Sequence, residues 1–329
     1  VGQSNKKRAT IRDVAKVADV SVATVSRYLN GKTKKMTAQT AAKIAEAIEK
    51  LRYVPNSAAR EMSNNSSKII AVLVANLNDY FSIEAFKGAS QVLEKKGYVP
   101  VLLNSGADTE HEKQLLQSIN IHGFDGLIFQ PLSNDRDAIK AKLTRDFPLV
   151  ILDRELDRSQ WPQVITDNHR ATVNSCEYFI NQGFTHIVVL SSTISEASTR
   201  QERYNAIKET SSNVDLVEID ENHFNRQQTF DQLKEALAGD EKSVLFSLKE
   251  RWLLEFLPQL MKEKVIQDGQ QAVTGFADTS LIKSICPYAK VISQDPFYMG
   301  QQAADILLKM LTSQESVPGN IIISAQLKK

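Results

Sequence analysis

Only two cysteines, Cys176 and Cys286, occur in 329 residues. They stand far apart with no metal-type spacing and read as ordinary buried thiols in a reducing compartment. The five histidines form no metal-like cluster, so neither a metal nor any other cofactor is expected. No apolar run reaches the ~20 residues that cross a bilayer, so no membrane partner is expected. The N-terminus is basic but lacks the apolar stretch of a secretory signal, and the expected location is the cytoplasm. No Gly-x-Gly-x-x-Gly or Walker loop follows a strand, and no Gly-x-Ser-x-Gly elbow is present. With no catalytic constellation in sight, the chain is not expected to be an enzyme. Net charge is scarce as well, only +1 for the whole chain.

That small sum hides an uneven distribution. From Val1 to Ser67, thirteen Lys and Arg face five Asp and Glu, a surplus of +8, which leaves −7 for the remainder. A basic head on an acidic body points to a nucleic-acid-binding domain joined to something else. The head carries a matching local pattern. Thr10 can cap a helix, with Asp13 three residues on in capping-box spacing, and Val14, Val17 and Ala18 would line its inner face. Asp19-Val20 makes a tight turn. Ser21 caps a second helix that carries Val25 and Leu29 inward. Two capped helices across so short a turn make a helix-turn-helix, whose second helix enters the DNA major groove by its N-terminal end. On that end stand Val22, Ala23, Thr24, Ser26 and Arg27, the last able to grip guanine bidentately. Thr37 can cap a third helix to about Leu51, with Ala41, Ile44, Ala45, Ile48 and Leu51 as its apolar stripe.

The strings Thr10-Ile-Arg-Asp-Val-Ala15, Val20-Ser-Val-Ala-Thr-Val-Ser-Arg27 and Tyr53-Val-Pro-Asn-Ser-Ala-Ala-Arg60 resemble the LacI/GalR family of bacterial transcription factors. The resemblance is specific over residues 10–62 and looser beyond. It implies a DNA-binding set of Thr10, Ser21, Val22, Ala23, Thr24, Ser26, Arg27, Asn30, Lys35, Tyr53, Asn56, Ala59 and Met62. The Gly-Lys-Thr-Lys-Lys loop before Met36 is one residue longer than usual in the family, and its added basic groups suit phosphate contact. In the family, paired hinge helices push a leucine into the minor groove; here Met62 holds that position, and methionine is also an apolar wedge.

From Lys68 the pattern changes to buried strands alternating with helices. Ile69–Val74, Tyr98–Leu103, Gly126–Phe129 and Leu149–Leu152 are expected strands, separated by helices over 83–96, 111–121 and 135–144. A second series begins near Val164: strands at 187–190, 216–219, 243–246 and 271–274, with helices over 171–182, 200–208, 227–238 and 252–262. Such alternation predicts open parallel sheets covered on both faces. The tail from Val291, with a helix to about Leu311 and a strand at Ile321–Ile323, resembles the segment by which the family's chain returns to its first lobe. The expected fold is therefore α/β: a three-helix head (1–53), a hinge helix and linker (54–67) and a two-lobed core like periplasmic sugar-binding proteins (68–329). The first lobe would hold about 68–163 and 291–329, the second about 164–290.

Ligands of such folds bind beyond the carboxyl ends of strands. The loops there contain Tyr80 and Phe81 after the first strand and Asp153-Arg154 after the fourth. Asp153 matches a family position that binds sugar hydroxyls, Arg154 is its common neighbour, and Arg203 matches the family's effector-gripping arginine. Two departures stand out. Lys249-Glu250 replaces the usual Asn-Asp after Phe246, and Ala277 precedes Asp278 where the family typically has Asp. Both would move the cleft toward positive charge, so Lys249 and Arg203 would suit a carboxylate or phosphate. The implied function is a sequence-specific repressor of a carbohydrate-use operon. It would bind pseudo-palindromic operator DNA as a homodimer, the tail having no leucine heptads, under allosteric control by a sugar acid or sugar phosphate. The alternative is a pleiotropic regulator of the catabolite-control type with a phosphoprotein co-repressor.

Overall fold

The computed structural model describes residues 9–29, 31, 33, 36–53, 66–143, 147–156, 159–221, 223–312 and 319–328. The chain separates into two compact units, Val1–Ser67 and Lys68–Lys329. Asn30, Lys35, Asn56, Ala59 and Met62, and with them the expected hinge helix, lie outside the described residues.

In the first unit, α1 (Ile11–Ala18) opens on the expected capping box: the Asp13 N–H donates to Thr10 Oγ1, and Asp13 Oδ2 accepts from the Thr10 N–H at 2.8 Å. Asp19 takes the left-handed conformation (φ 54°) that ends α1 and turns the chain into α2 (Val22–Leu29). α3 (Ala38–Leu51) starts on Thr37, whose hydroxyl accepts from the Thr40 N–H. Val14, Ala15, Ala18, Val25, Ile44 and Ala47 form the buried core among the three. Two inward assignments fail. Val17 is 45% exposed, and Ala45 faces solvent while Ala47 is buried. Each belongs to the apolar arc by type, but α1 and α3 meet along a stripe too narrow to include it.

The second unit holds two six-stranded sheets with helices between the strands. The first contains β1 (Ile69–Val74), β2 (Val99–Asn104), β3 (Gly126–Phe129), β4 (Leu149–Asp153), β5 (Gln163–Thr166) and β11 (Asn320–Ile323), in the order β11-β5-β4-β3-β1-β2, all parallel. The second contains β6 (His186–Ser192), β7 (Val214–Ile219), β8 (Ser243–Ser247), β9 (Gln271–Phe276), β10 (Lys290–Ser293) and β12 (Gln326–Lys328), in the order β12-β10-β9-β8-β6-β7. β12 runs antiparallel to β10. The central strands are apolar, β4 up to its last residue Asp153, because helices cover both faces. Those helices are α4 (Tyr80–Lys95), α5 (Thr109–Ile121), α6 (Arg136–Lys142), α7 (Asn168–Asn181), α8 (Ser198–Thr210), α9 (Arg226–Ala236), α10 (Glu250–Lys262), α11 (Leu281–Ile285) and α12 (Pro296–Thr312).

The lobe boundaries differ from the expected ones. β5 lies in the first sheet, so the first crossing to the second lobe comes after Thr166, not at 164. β10 completes the second sheet, which moves the return past Ser293. The chain then crosses a third time, between Ile323 and Gln326, to pair β12 with β10. Pairing partners decide lobe membership, and the short strands β5, between β11 and β4, and β12, at the edge of the second sheet, carry no pattern that names their partners.

α4 and α12 pack with backbones in contact. A Cβ on Gly88 would stand 1.9 Å from the Phe297 carbonyl oxygen, and one on Gly300 would stand 1.9 Å from that of Ala85. Only glycine permits this approach.

Candidate functional site

The N-terminal end of α2 presents Ser21, Val22, Ala23 and Arg27 to solvent, with Thr24 and Ser26 half-buried. Ser21 Oγ accepts from the Thr24 N–H at 3.1 Å, and the two hydroxyls lie 2.8 Å apart. That cap fixes the start of α2. Val22 is 42% exposed, an apolar group at the surface of a helix whose opposite side, through Val25, is fully buried. Such a face of small groups, hydroxyls, one valine and one guanidinium can read thymine methyls and base edges. The Thr10 hydroxyl is engaged with Asp13, and Tyr53 packs against the head core, so both shape the head as well as bordering its surface.

The second unit carries a cavity between its lobes at the carboxyl ends of the strands. The first lobe contributes Asp79 and Phe81 after β1, Gln130 after β3, and Asp153 and Arg154 at the end of β4. From the second lobe come Ala197, Thr199, Arg200 and Arg203 on or before α8, Leu248–Glu250 after β8, and Phe276 and Asp278 after β9. Gln294, in the return crossing, completes the lining.

Asp153 is buried with φ at 68°, an uncommon conformation for a residue with a Cβ. Its Oδ2 accepts from Gln130 Nε2 at 2.8 Å, while Gln130 Oε1 accepts from the Ala75 N–H and Ser82 hydroxyl. Burial pushes the Asp153 carboxyl above the usual carboxylate range, opposed by the charges of Arg203 and Arg154. Arg203 is buried and rigidly held. Its Nε donates to Asn168 Oδ1 at 2.8 Å and its Nη1 to the Leu248 carbonyl at 2.8 Å, while the guanidinium carbon lies 3.5 Å from the Phe276 ring centre. Burial lowers its pKa to about 10, with the Asp153 charge working against the shift. The guanidinium therefore stays protonated at neutral pH.

The electrostatic reading of Lys249 needs correction. Its side chain does turn into the cleft and is only 14% exposed. Its charge, however, is already met by Glu221 at 3.0 Å and by Asp79 at 3.7 Å. Glu221 also accepts from Arg251 at 3.0 Å and from the Ser192 hydroxyl. Although burial works against it, Lys249 foremost holds the Glu221 carboxyl below its usual range. The charged residues of the lining balance, with Asp79, Asp153, Glu250 and Asp278 against Arg154, Arg200, Arg203 and Lys249. The loop did gain a cation, but the fold supplies its counter-ions from two distant segments.

Asp278 borders the cavity, yet its Oδ1 is committed to the Ser293 hydroxyl and to the N–H groups of Gln294 and Asp295. Glu250 likewise accepts from the N–H groups of Asp278 and Thr279 and from the Thr279 hydroxyl. Glu250 ties the β8 loop to the β9 loop and Asp278 ties the β9 loop to the end of β10, and burial raises the pKa of each. Tyr80 does not line the cavity. It is the first residue of α4 and 37% exposed, whereas its neighbours Asp79 and Phe81 point to the lining. Ala277 is buried in the second-lobe core, away from the lining. Sequence reasoning missed Asp79, Gln130, Arg200 and Gln294. Each follows a strand end, the signal that did locate Asp153.

Among the described residues no group of His, Cys, Asp and Glu could hold a metal ion, and no helix is long and apolar enough to cross a membrane.

Comparison with known proteins gives two family matches. Residues 10–56 match the model for bacterial regulatory proteins of the lacI family, and residues 67–240 match that for periplasmic binding proteins and the sugar binding domain of the LacI family. The chain is 29% identical over 324 residues to the HTH-type transcriptional regulator KdgR of Bacillus subtilis, covering 96% of this chain and 95% of that one. A LacI transcriptional regulator from Lactobacillus brevis, known as a crystal structure, is 42% identical with a TM-score of 0.75. That match covers 79% of this chain and all of the other. The Lac repressor dimer bound to operator and the anti-inducer ONPF superposes with a TM-score of 0.83 over 98% of both chains, at 22% identity, which is a likeness of fold. With its helix-turn-helix head and its two-lobed core matched in turn, the chain belongs to the LacI family of bacterial transcription regulators.

Proposed function

We propose that this regulator is a cytoplasmic, homodimeric repressor. In this reading it binds a pseudo-palindromic operator through α2 and changes its grip when a small carbohydrate-derived effector binds between the lobes. The observation that carries the reading is the cavity itself. Two lobes contribute polar side chains to one space at their strand ends, and these are preset by hydrogen bonds within each lobe. A ligand spanning it would bias the lobes toward closure. By linkage, any effect on operator affinity must be returned as an effect of operator on ligand affinity. The head supplies the other half, an exposed reading face on a short capped helix. The relatives, a transcriptional regulator and an operator-bound dimer among them, support the same assignment.

The test begins with selection of duplexes from a random pool by the full chain, which should return a symmetric consensus. Arg27→Ala should then lose about 1–3 kcal/mol on that duplex and relax preference at one base pair in each half-site. Calorimetry of a carbohydrate panel, with and without the selected duplex, should find a ligand whose affinity depends on DNA. A selection that returns no symmetric consensus, or a duplex affinity indifferent to every metabolite of the panel, would refute the assignment.

A further inference from the structure

We propose that Arg154 and Arg200 form an oxyanion seat in the interlobe cleft, so that the metabolite this protein reads carries a carboxylate or phosphate group. The inference rests on the effector site proposed above and gives its ligand a charge class. The two arginines come from opposite lobes, Arg154 from the end of β4 and Arg200 from the first turn of α8. Both border the cleft cavity, and both also border the adjoining hollow beside Thr109 and Ser195. They therefore stand together in the wall between the two spaces.

Their hydrogen bonding is incomplete where that of their neighbours is not. Arg154 Nε and Arg200 Nη1 are both buried with no hydrogen-bond partner. Arg154 Nη1 donates to the Pro131 carbonyl at 3.0 Å, which fixes the side chain but supplies no negative charge. Arg200 is 7% exposed, and the nearest carboxylate, on the exposed Glu196, lies 3.8 Å from its Nη1, beyond hydrogen-bond reach. The other two cations of the cleft are provided for. Lys249 lies against Glu221 and Asp79, and Arg203 against Asn168, the Leu248 carbonyl and Phe276.

The two buried guanidinium groups repel, and burial, ahead of the Arg154 charge, depresses the Arg200 pKa, with Glu196, Glu221 and Asp79 working against the shift. A neutral hydroxyl can fill one orphaned N–H but leaves the repulsion untouched. A carboxylate or phosphate fills both and cancels it. The start of α8 adds to the same field. Its N-cap is Ala197, with no side-chain oxygen to occupy the first N–H groups, so the positive end of the helix is left open at the cavity. Asp153, with Oδ2 on Gln130, stands close by to take the hydroxyls of the same ligand. Because the arginines belong to different lobes, an anion between them adds its own closing attraction to those that Arg154 already has to Glu221 and Arg200 to Asp79 across the cleft.

The experiment uses thermal melting and calorimetry of the full chain, with inorganic phosphate, D-gluconate, D-glucose 6-phosphate and D-glucose as probes and chloride at matched ionic strength as the reference. Phosphate and gluconate should raise the melting temperature above the chloride reference. Arg154→Gln and Arg200→Gln should each weaken binding about tenfold or more, and Arg200→Lys should restore part of it. Lys234→Gln, on the far helix α9, should respond as the parent does. A structural arginine would lower the melting temperature of the ligand-free protein when removed, whereas loss of an unpaired buried cation should leave it equal or higher. The relative strength of gluconate and glucose 6-phosphate tells carboxylate from phosphate. The seat is overturned if neither oxyanion exceeds chloride, or if Arg200→Gln responds like the parent. The effector reading then stands or falls separately, on whether the carbohydrate panel still alters duplex affinity. Oxyanion binding through the two arginines, with duplex affinity unmoved by every probe, would keep the seat and remove its coupling to DNA.

Discussion

Lys249 reaches across the cleft, and its removal should open the lobes rather than unfold them. Its Nζ lies 3.7 Å from Asp79 in the first lobe and 3.0 Å from Glu221 in its own. At 3.7 Å the attraction to Asp79 is about 4.5 kcal/mol at an effective dielectric constant of ~20, and about 1 kcal/mol in bulk water. The two side chains are 14% and 23% exposed, so some of each desolvation cost has already been incurred. Offsetting that cost and the ordering of a long side chain leaves a net of about 1 kcal/mol. Lys249→Ala should therefore lower the closed-to-open ratio about fivefold. Glu221 keeps Arg251 and the Ser192 hydroxyl, which in turn accepts from Trp252 Nε1 at 2.8 Å, so the second lobe stays assembled. Hydrogen exchange measures both events at once. Amides around 79–82 and 248–251 should exchange about fivefold faster, while the β6 and β8 amides should not change. Asp79→Asn should reproduce the effect, and the double variant should add little to either single one. Unchanged exchange at the cleft would show that the ion pair does not hold the lobes. Uniformly faster exchange through the second lobe would assign Lys249 to folding instead.

Gly88→Ala places a Cβ 1.9 Å from the Phe297 carbonyl oxygen, so α4 and α12 must part. The gain in helix propensity, up to about 1 kcal/mol, should be outweighed, giving a net loss of about 1–3 kcal/mol in urea unfolding. An increase in stability would show that the helices separate at no cost. Glu112 is fully buried, accepts from the Leu132 N–H at 2.7 Å and lies 3.4 Å from Lys142. Burial raises its pKa above the unfolded value, so the native state takes up its proton first on acidification. Its contribution to stability is then full below the unfolded pKa and is lost as pH rises through the folded one. Glu112→Gln should consequently compare best with the parent at neutral pH, and its relative standing should fall as the pH is lowered toward 4.5. Melting temperatures across that range check this, and a variant that gains on the parent with acidification reverses the sign of the argument.

The sequence by itself determined what depends on near neighbours. The capping box at Thr10 and Asp13, the Ser21 cap and the turn at Asp19 act within three or four residues, so the head was legible letter by letter. Apolar runs such as Ile69–Val74 and Gly126–Phe129 named the buried strands, because a strand covered on both faces has no polar side to show. Strand ends then located Asp153, Arg203 and Lys249 near the cavity, as the parallel topology requires. Tertiary structure decided what those residues are worth. Lys249 looked like an anion-binding cation until the fold brought Asp79 and Glu221 to it from other loops. Arg200, three residues before Arg203 and of the same type, proved the one with a buried N–H unfilled, because Asn168 and the Leu248 carbonyl reach only its neighbour. Lobe membership of β5, β10 and β12 was decided in the same way, by pairing between segments distant in the chain. Caps and hydrophobic periods are properties of a short window. Charge compensation and strand pairing are sums over everything the fold places within a few ångströms, and no window of the sequence contains them.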